Sequence, residues 1–288
     1  MLAFVRGMDS VVNYLLLVVV LVVFAFASYA LWDSRQVHRD ADKSHYEIYK
    51  PTTENKGKTF AELIGINHEV IAWLTVFNTN IDYPVTWTDD NMKYVNTNAE
   101  GRYSLSGSIF LDYRNSGDFS DFNNIVYGHN MDRRTMFGEV GDFADGDFFD
   151  ANKYGNLYLN GRNHGIEFFA FVHTDAYNGG VFWPNVPEEL RQGYLDMLLE
   201  SALQKRDIGV SVDDSIILLS TCSPNSTNGR DILVGRITEK VFLQPLTVDM
   251  EPGFEKGELY ARPIHLMPIV IKSLLAVMVI TKVRKRRA

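Results

Sequence analysis

The sequence has one cysteine, and it has no internal repeat, no low-complexity segment and no glycine-rich phosphate-binding loop. A single cysteine cannot close a disulfide within the chain, which excludes a disulfide-stapled scaffold. The 288 residues, 46% hydrophobic and 22% charged, also exclude a disordered or collagen-like chain. The net charge of −8 argues against a nucleic-acid partner, because such proteins need clustered lysine and arginine to displace phosphate counterions.

Metal-binding patterns are scarce as well, and we predict no cofactor. The seven histidines show no short ligand spacing, and one cysteine cannot build a structural zinc site. The acidic run of Asp142, Asp145, Asp147 and Asp150 lacks the usual ligand pattern of a calcium loop. Its phenylalanines and glycines favour a solvated turn.

A charge-free hydrophobic run covers residues 14–32. Its nineteen residues are about the length with which a helix crosses a hydrocarbon core of ~30 Å. A cleaved signal peptide is the alternative, since Ala25, Ala27 and Ser28 resemble a cleavage site, but the run is long and ends in aromatic residues. We predict an uncleaved membrane anchor over residues 1–32.

A second hydrophobic segment, residues 264–281, is interrupted by Pro268 and Lys272. A lysine near the middle of a membrane costs ~2.5–3.5 kcal/mol on the insertion scale. The segment is therefore either an amphipathic or buried terminal helix, or a second span followed by the basic residues 282–287. The sequence leaves both open, and we assign residues 246–288 to a C-terminal segment with a possible second span and a basic tail.

The charge is unevenly distributed along the chain. Residues 1–32 carry one basic and one acidic residue, residues 263–288 carry six basic and no acidic residues, and the 230 residues between them have a net charge of −14. Because lysine and arginine accumulate on the cytoplasmic side of membrane spans, an acidic body with a distant basic cluster favours a cell-membrane protein whose body is extracellular.

The body begins with residues 33–58, which lack hydrophobic periodicity and are predicted as a stalk. Thr59-Phe60-Ala61-Glu62 has capping-box spacing and precedes helically spaced apolar residues, which predicts a helix from about 60 to 70. A further helix is predicted at about 187–205, with Pro187 in its first turn. The other segments are short β-rich runs separated by Asn, Asp and Gly turns, typical of an antiparallel barrel or sandwich. These runs are residues 72–76, 81–85, 107–111, 125–127, 157–159, 166–172, 216–220 and 232–237.

Cys222 stands at the end of the apolar stretch 216–221, and Arg230 opens the next predicted strand after the turn-rich loop 223–229. If the two strands pair antiparallel, both residues lie at the same end of a sheet, within reach of one ligand. A lone cysteine is more often a small buried residue than a nucleophile, but a strand-end cysteine beside a loop and a fixed cation sits where thiolates are stabilised. Arg236 is the alternative cation, and we favour Arg230 because it directly follows the loop.

A cysteine nucleophile also needs a proton-transfer partner. His129 follows the run 125–127 after Gly128 and is the preferred general acid/base, while His173 directly follows the run 166–172 and is the second candidate.

At these residues the sequence resembles the sortases, cysteine transpeptidases of Gram-positive cell surfaces, and the match is specific to class B. The resemblance covers about residues 59–242, and the helix at 187–205 is similar to the extra helix of class B members. The matching segments are 67–74 (NHEVIAWL), 79–85 (TNIDYPV), 107–115 (GSIFLDYRN), 127–131 (YGHNM), 136–138 (MFG), 219–222 (LSTC) and Arg230 before 232–234 (ILV).

The resemblance implies a mainly β fold over residues 59–245, an eight-stranded β-barrel with an N-terminal helix and one extra helix between late strands. It implies His129, Cys222 and Arg230 as the catalytic set. Such an enzyme cleaves a sorting signal near the C-terminus of a secreted protein, holds the acyl part as a cysteine thioester and passes it to an amine. The expected acceptor is a cell-wall precursor peptide or, as the C-terminal segment suggests, a pilin lysine.

Two other functions stay open from the sequence. In a hydrolytic cysteine peptidase, water rather than an amine would resolve the thioester. In a non-catalytic surface assembly module, Cys222 would be structural.

Overall fold

The structure is a computed structural model that describes residues 2–52 and 58–244. The predicted C-terminal segment, residues 246–288, lies outside these ranges. In the described part the helices are α1 (Leu2–Ala41), α2 (Lys58–Ile66), α3 (Gly146–Ala151) and α4 (Arg191–Ser201). The strands are β1 (Val70–Val76), β2 (Asp82–Thr86), β3 (Ile109–Leu111), β4 (Asn123–Tyr127), β5 (Asn130–Met131), β6 (Thr135–Met136), β7 (Tyr154–Leu159), β8 (Arg162–Asp175), β9 (Ala202–Lys205), β10 (Ser215–Cys222) and β11 (Gly229–Thr238).

Eight strands close into a barrel in the order β11-β10-β4-β3-β2-β1-β7-β8, because β8 pairs with β11 and completes the ring. The strand β9 pairs with the second half of β8, beyond β7. With α2 before the barrel and α4 between late strands, the predicted mainly β, eight-stranded fold is confirmed. The prediction of an antiparallel barrel is wrong for two pairs, β2–β3 and β4–β10, which are parallel. A short apolar run shows the same residue pattern whether its strand pairs in parallel or antiparallel, so the sequence does not distinguish the two.

The pleat of the barrel strands divides their side chains between two hydrophobic cores. Along β10, Ile217 and Leu219 join the core inside the barrel, whereas Ile216 and Leu218 join a second core on the outside, against α4. Since successive side chains of a strand point to opposite faces, the even-numbered face of β10 is the outer face. Cys222 continues this outer face.

Both helices predicted within the body are shorter in the structure. The first ends at Ile66, because Val70 already pairs with Thr86 in the sheet. The second is a 3-10 turn at Glu188–Leu190 followed by α4, which ends at Ser201. The last predicted turn of that helix, Ala202–Lys205, is instead the strand β9.

The helix α1 contains the predicted anchor. Its stretch Val11–Ala41 contains an 18-residue window with a mean hydropathy of 2.7 and is long and apolar enough to cross a membrane, which is compatible with an anchor. The helix continues without a break into the predicted stalk, residues 33–58, and ends at the buried Ala41. The Tyr83 hydroxyl donates to the Ala41 carbonyl oxygen at 2.9 Å, and Tyr46 packs on Tyr83. This part of the stalk is thus attached to the barrel.

Candidate active site

Cys222 and Arg230 lie directly opposite each other on neighbouring strands. Cys222 is the last residue of β10, and its backbone pairs with that of Arg230 near the start of β11. The predicted antiparallel pairing is therefore confirmed, and it puts both side chains on one face, at the Cβ spacing of about 5 Å typical of opposed residues. Cys222 is exposed, while Arg230 is partly buried and donates from Nη1 to the Gly229 carbonyl oxygen at 3.0 Å.

The loop between the two strands is closed tightly at its base. The Ser223 amide donates to the Gly229 carbonyl oxygen at 2.9 Å. A side chain at position 229 would collide with the Ser226 hydroxyl and would lie 3.1 Å from both His173 Cε1 and Ser223 Cβ. Glycine at this position lets the loop return so closely that β11 begins opposite the end of β10.

His129 reaches the same end of the barrel because β4 runs parallel to β10, so the two strands end together. Tyr127 lies opposite Ser220, the Gly128 amide donates to the Ser220 carbonyl oxygen at 3.2 Å, and Thr221 Oγ1 donates to the Gly128 carbonyl oxygen at 2.8 Å. These contacts bring the strand end that carries His129 directly against the strand end that carries Cys222.

The His129 ring is oriented by the backbone of the loop before β3. Its Nε2 lies 2.7 Å from the Val95 carbonyl oxygen. A carbonyl oxygen only accepts hydrogen bonds, so this contact requires the proton on Nε2. Nδ1 is then the nitrogen that can exchange a proton at the site.

The alternatives to His129 and Arg230 are both paired with carboxylates. His173 lies opposite Asp231 on the inner face of β8 and β11, and its Nδ1 is 2.7 Å from the Asp231 carboxylate.

Arg236 lies six residues further along β11 than Arg230, which is roughly 20 Å at the rise of an extended strand. It forms ion pairs with Glu167 at 2.8 Å and with Asp214 at 3.7 Å.

A buried charge cluster supports the outer face beneath the site. The fully buried Asp112 accepts two hydrogen bonds from the Arg114 guanidinium, at 2.9 and 2.8 Å, and one from the Tyr127 hydroxyl at 3.0 Å. Burial alone would raise the pKa of Asp112, but the Arg114 and Tyr127 hydrogen bonds outweigh it and lower the pKa below its ordinary value. Burial, together with the Asp112 charge, raises the pKa of Tyr127, so Tyr127 stays a neutral hydrogen-bond donor.

Three features of the site escaped the sequence reasoning. The Val95 carbonyl leaves no sequence signal, because it is a backbone group. No role for Asn130 follows from the segment 127–131, but its side chain donates from Nδ2 to the Cys222 carbonyl oxygen at 3.0 Å. The Ser220 hydroxyl is buried on the outer face, without a hydrogen-bond partner in the described part of the chain. A serine two residues before a strand-end cysteine shares its face, which was a usable signal.

The aspartate run predicted as a solvated turn is instead helical, in the 3-10 helix Val140–Ala144 and in α3 with its cap, and three of the aspartates have structural contacts. Asp145 caps α3 by accepting from the Phe148 amide at 2.9 Å, Asp142 pairs with Arg134 at 3.1 Å, and Asp150 lies 3.6 Å from Arg206. Among the described residues, no group of three or more His, Cys, Asp or Glu side chains is arranged to hold a metal ion.

Comparisons with known proteins identify this arrangement. No protein-family model matches the chain. Sortase B of Listeria monocytogenes is 32% identical over 238 residues, which cover 78% of this chain and 96% of that protein. A crystal structure of sortase B from the type II pilus of Streptococcus pneumoniae is 44% identical with a TM-score of 0.56, covering 63% of this chain and 99% of that one. The Streptococcus pyogenes class B sortase Spy0129, described as involved in pilus biogenesis, is 38% identical with a TM-score of 0.58, covering 63% and 99%.

The closed barrel with a cysteine at one strand end, together with these sortase B relatives, identifies the protein as a cysteine transpeptidase. The chain belongs to the class B sortase family.

Proposed function

We propose that this sortase uses Cys222 as the nucleophile, His129 as the general acid/base and Arg230 as the cation that stabilises the transition state. The observation that carries the proposal is the cross-strand pair of Cys222 and Arg230 on the outer face, with His129 at the end of the parallel neighbouring strand. The substrate is a secreted protein with a C-terminal sorting signal, and the acceptor is an amine.

In the acylation step the Cys222 thiolate attacks the scissile carbonyl carbon, and a tetrahedral oxyanion forms. The His129 imidazolium donates its Nδ1 proton to the departing amide nitrogen, so the C–N bond breaks and a thioester remains. In the second step an amine attacks the thioester, neutral His129 takes the proton, and the thiolate leaves. Water can also attack, but an amine is the better nucleophile.

Arg230 is always charged and lies opposite the nucleophile, where it can hold the oxyanion or the substrate backbone. The partnerless Ser220 hydroxyl on the same face supports a role in binding the substrate backbone, because a buried hydroxyl without a partner is costly until a ligand satisfies it.

We further propose that α1 anchors the enzyme in the cell membrane with its barrel outside the cell, and that residues 1–32, 33–58, 59–245 and 246–288 are the anchor, stalk, catalytic domain and C-terminal segment. The apolar character of α1 and the acidic charge of the body support this location.

The proposed acceptor is an amine of a cell-wall precursor peptide. A pilin lysine is the second candidate, favoured by the 44% and 38% identity to two solved sortases from pilus systems.

The test uses the full chain in detergent, incubated with a panel of sorting-signal peptides and analysed by intact mass spectrometry. We expect a Cys222 thioester adduct that is absent in Cys222→Ala. Adding a cell-wall peptide amine or a pilin-derived lysine peptide should convert the adduct to a transfer product, and the faster acceptor identifies the pathway. Absence of any adduct across the panel, or release of hydrolysed peptide alone with both acceptors present, would overturn the proposal.

A further inference from the structure

The residue after His129 joins the two halves of the candidate site. The Asn130 side chain donates from Nδ2 to the Cys222 carbonyl oxygen at 3.0 Å, across 92 positions of sequence. Asn130 is covalently adjacent to His129, and its side chain holds the backbone of Cys222. One residue therefore connects the imidazole and the thiol without contacting either reacting atom.

Asn130 begins a hairpin that is too small to hold its own shape. The strands β5 and β6 form two residue pairs, Asn130 with Met136 and Met131 with Thr135. Arg133, Arg134 and Met136 have φ values of 60°, 57° and 53°, in the left-handed region that non-glycine residues rarely adopt. Such backbone persists only where surrounding contacts fix it, and it is common at functional sites.

Further contacts fix the rest of the hairpin. The Met136 amide donates to the Tyr83 hydroxyl at 3.0 Å, and the Phe137 amide donates to the His129 carbonyl oxygen at 2.9 Å. Arg134 lies 3.4 Å from Glu139 and 3.1 Å from Asp142. The hairpin is thus a fixed platform, and Asn130 is its connection to the end of β10.

We propose that Asn130 is a positioning residue for the transfer reaction: its amide fixes the Cys222 end of β10 relative to the His129 ring. The inference rests on the proposed catalytic roles of His129 and Cys222. Proton transfer and nucleophilic attack both depend on near-contact distances, and a misplacement of about 1 Å can cost ~10²-fold in rate. An asparagine amide can donate to a carbonyl, whereas an ionised aspartate can only accept and would repel it.

The test compares Asn130→Ala and Asn130→Asp with the control Thr135→Val. Thr135 lies on the same hairpin. Its hydroxyl donates to the Asp132 carbonyl oxygen at 3.0 Å, a contact within the hairpin that does not involve Cys222. Each variant of the full chain is assayed in detergent with the sorting peptide that acylates the wild type, with rates normalised to the Cys222 thiol titrated in the folded protein. We expect kcat to fall about tenfold in both Asn130 variants with KM within about twofold, and Thr135→Val to keep both constants within about twofold.

Three results would overturn the inference while leaving the catalytic assignment intact: unchanged kcat in the Asn130 variants, a loss confined to KM, or an equal loss in Thr135→Val. If Asn130→Ala does not fold, the isosteric Asn130→Asp still tests whether loss of the amide donor lowers kcat. Failure of the wild type to form any Cys222 adduct is a separate outcome, which would overturn the proposed function and this inference together.

Discussion

Two consecutive residues at the start of β11 show how one strand separates two environments. Arg230 lies on the outer face, opposite the exposed Cys222, whereas Asp231 is buried on the inner face and accepts a hydrogen bond from His173 at 2.7 Å. The two faces differ in how fully their polar groups are paired. The inner pair is complete by itself, while the outer pair leaves groups free for a substrate.

The same contrast separates two buried aspartates. Asp112, beneath the outer face, is paired with the permanently charged Arg114, whereas Asp231 is paired with a histidine that is charged only when protonated. The outer face therefore has a support whose charge does not depend on pH in the physiological range. We therefore expect catalysis to depend on the outer face alone, and stability to depend on the buried pairs of both faces.

The largest expected effect separates the two histidines. We expect His129→Ala to lower kcat/KM for peptide transfer by about 10³-fold, within the range typical of general acid/base groups. His173→Ala should leave kcat/KM within about twofold and lower the free energy of unfolding by about 1 kcal/mol, since it removes one partly exposed hydrogen bond. Steady-state kinetics and denaturant unfolding measure the two quantities. A loss of kcat/KM greater than about twofold in His173→Ala would contradict the assignment of catalysis to the outer face.

The two arginines of β11 give the second test. Arg230→Ala should lower kcat/KM by about 10²-fold or more, as does removal of an oxyanion donor in other enzymes. Arg236→Ala is the matched control, because it removes the same charge from the same strand and should leave kcat/KM within about twofold. Equal losses would mean that net charge, rather than the position opposite Cys222, accounts for the effect.

The support beneath the outer face is tested by Arg114→Met. This change leaves Asp112 buried without its partner, which costs about 3–5 kcal/mol in fully buried pairs. Because Arg114 is 38% exposed, we expect a smaller loss of about 2 kcal/mol. The control Arg162→Met breaks an exposed pair with Glu239 and should change stability by less than about 0.5 kcal/mol. Denaturant unfolding of the full chain in detergent, followed by tryptophan fluorescence, makes the comparison.

The smallest effect is the pH dependence of stability. The pKa of Asp112 is lower in the folded protein than its unfolded value of about 3.9, so its contribution is fully present above that pH and is lost as pH falls through the folded pKa. Wild type should therefore lose stability more steeply than Asp112→Asn below about pH 4, by at most ~1.4 kcal/mol per pH unit for one proton. Unfolding curves at several acidic pH values measure this slope, and parallel slopes would contradict the pairing.

The sequence was sufficient for the existence of most strands and for the pairing of Cys222 with Arg230, because both depend on local patterns and a short loop. It ranked His129 above His173, but it could not place His173 on the inner face of the barrel, since both residues lie at strand ends. That placement depends on the pleat of β8 relative to the barrel, which only closure of the sheet defines.

Other differences also come from long-range pairing. The residues Ala202–Lys205 continue a helical pattern, but Ala202 pairs with Val172 on β8, and sheet pairing prevailed over local periodicity. The hairpin of β5 and β6 has only two pairs and no hydrophobic alternation, so it left no pattern to detect. The attachment of Ala41 to the barrel through Tyr83 joins residues 42 positions apart.

This attachment has a consequence for how far the enzyme can reach. Between the end of the charge-free run at Trp32 and the buried Ala41, nine further helical residues rise about 14 Å. With α1 as the anchor, the barrel stands at a fixed height above the lipid headgroups. Each residue inserted into this stretch would raise the barrel by about 1.5 Å and also turn it by about 100° around the helix axis. The direction in which the Cys222 end of the barrel faces is therefore set by helix phase as much as by length.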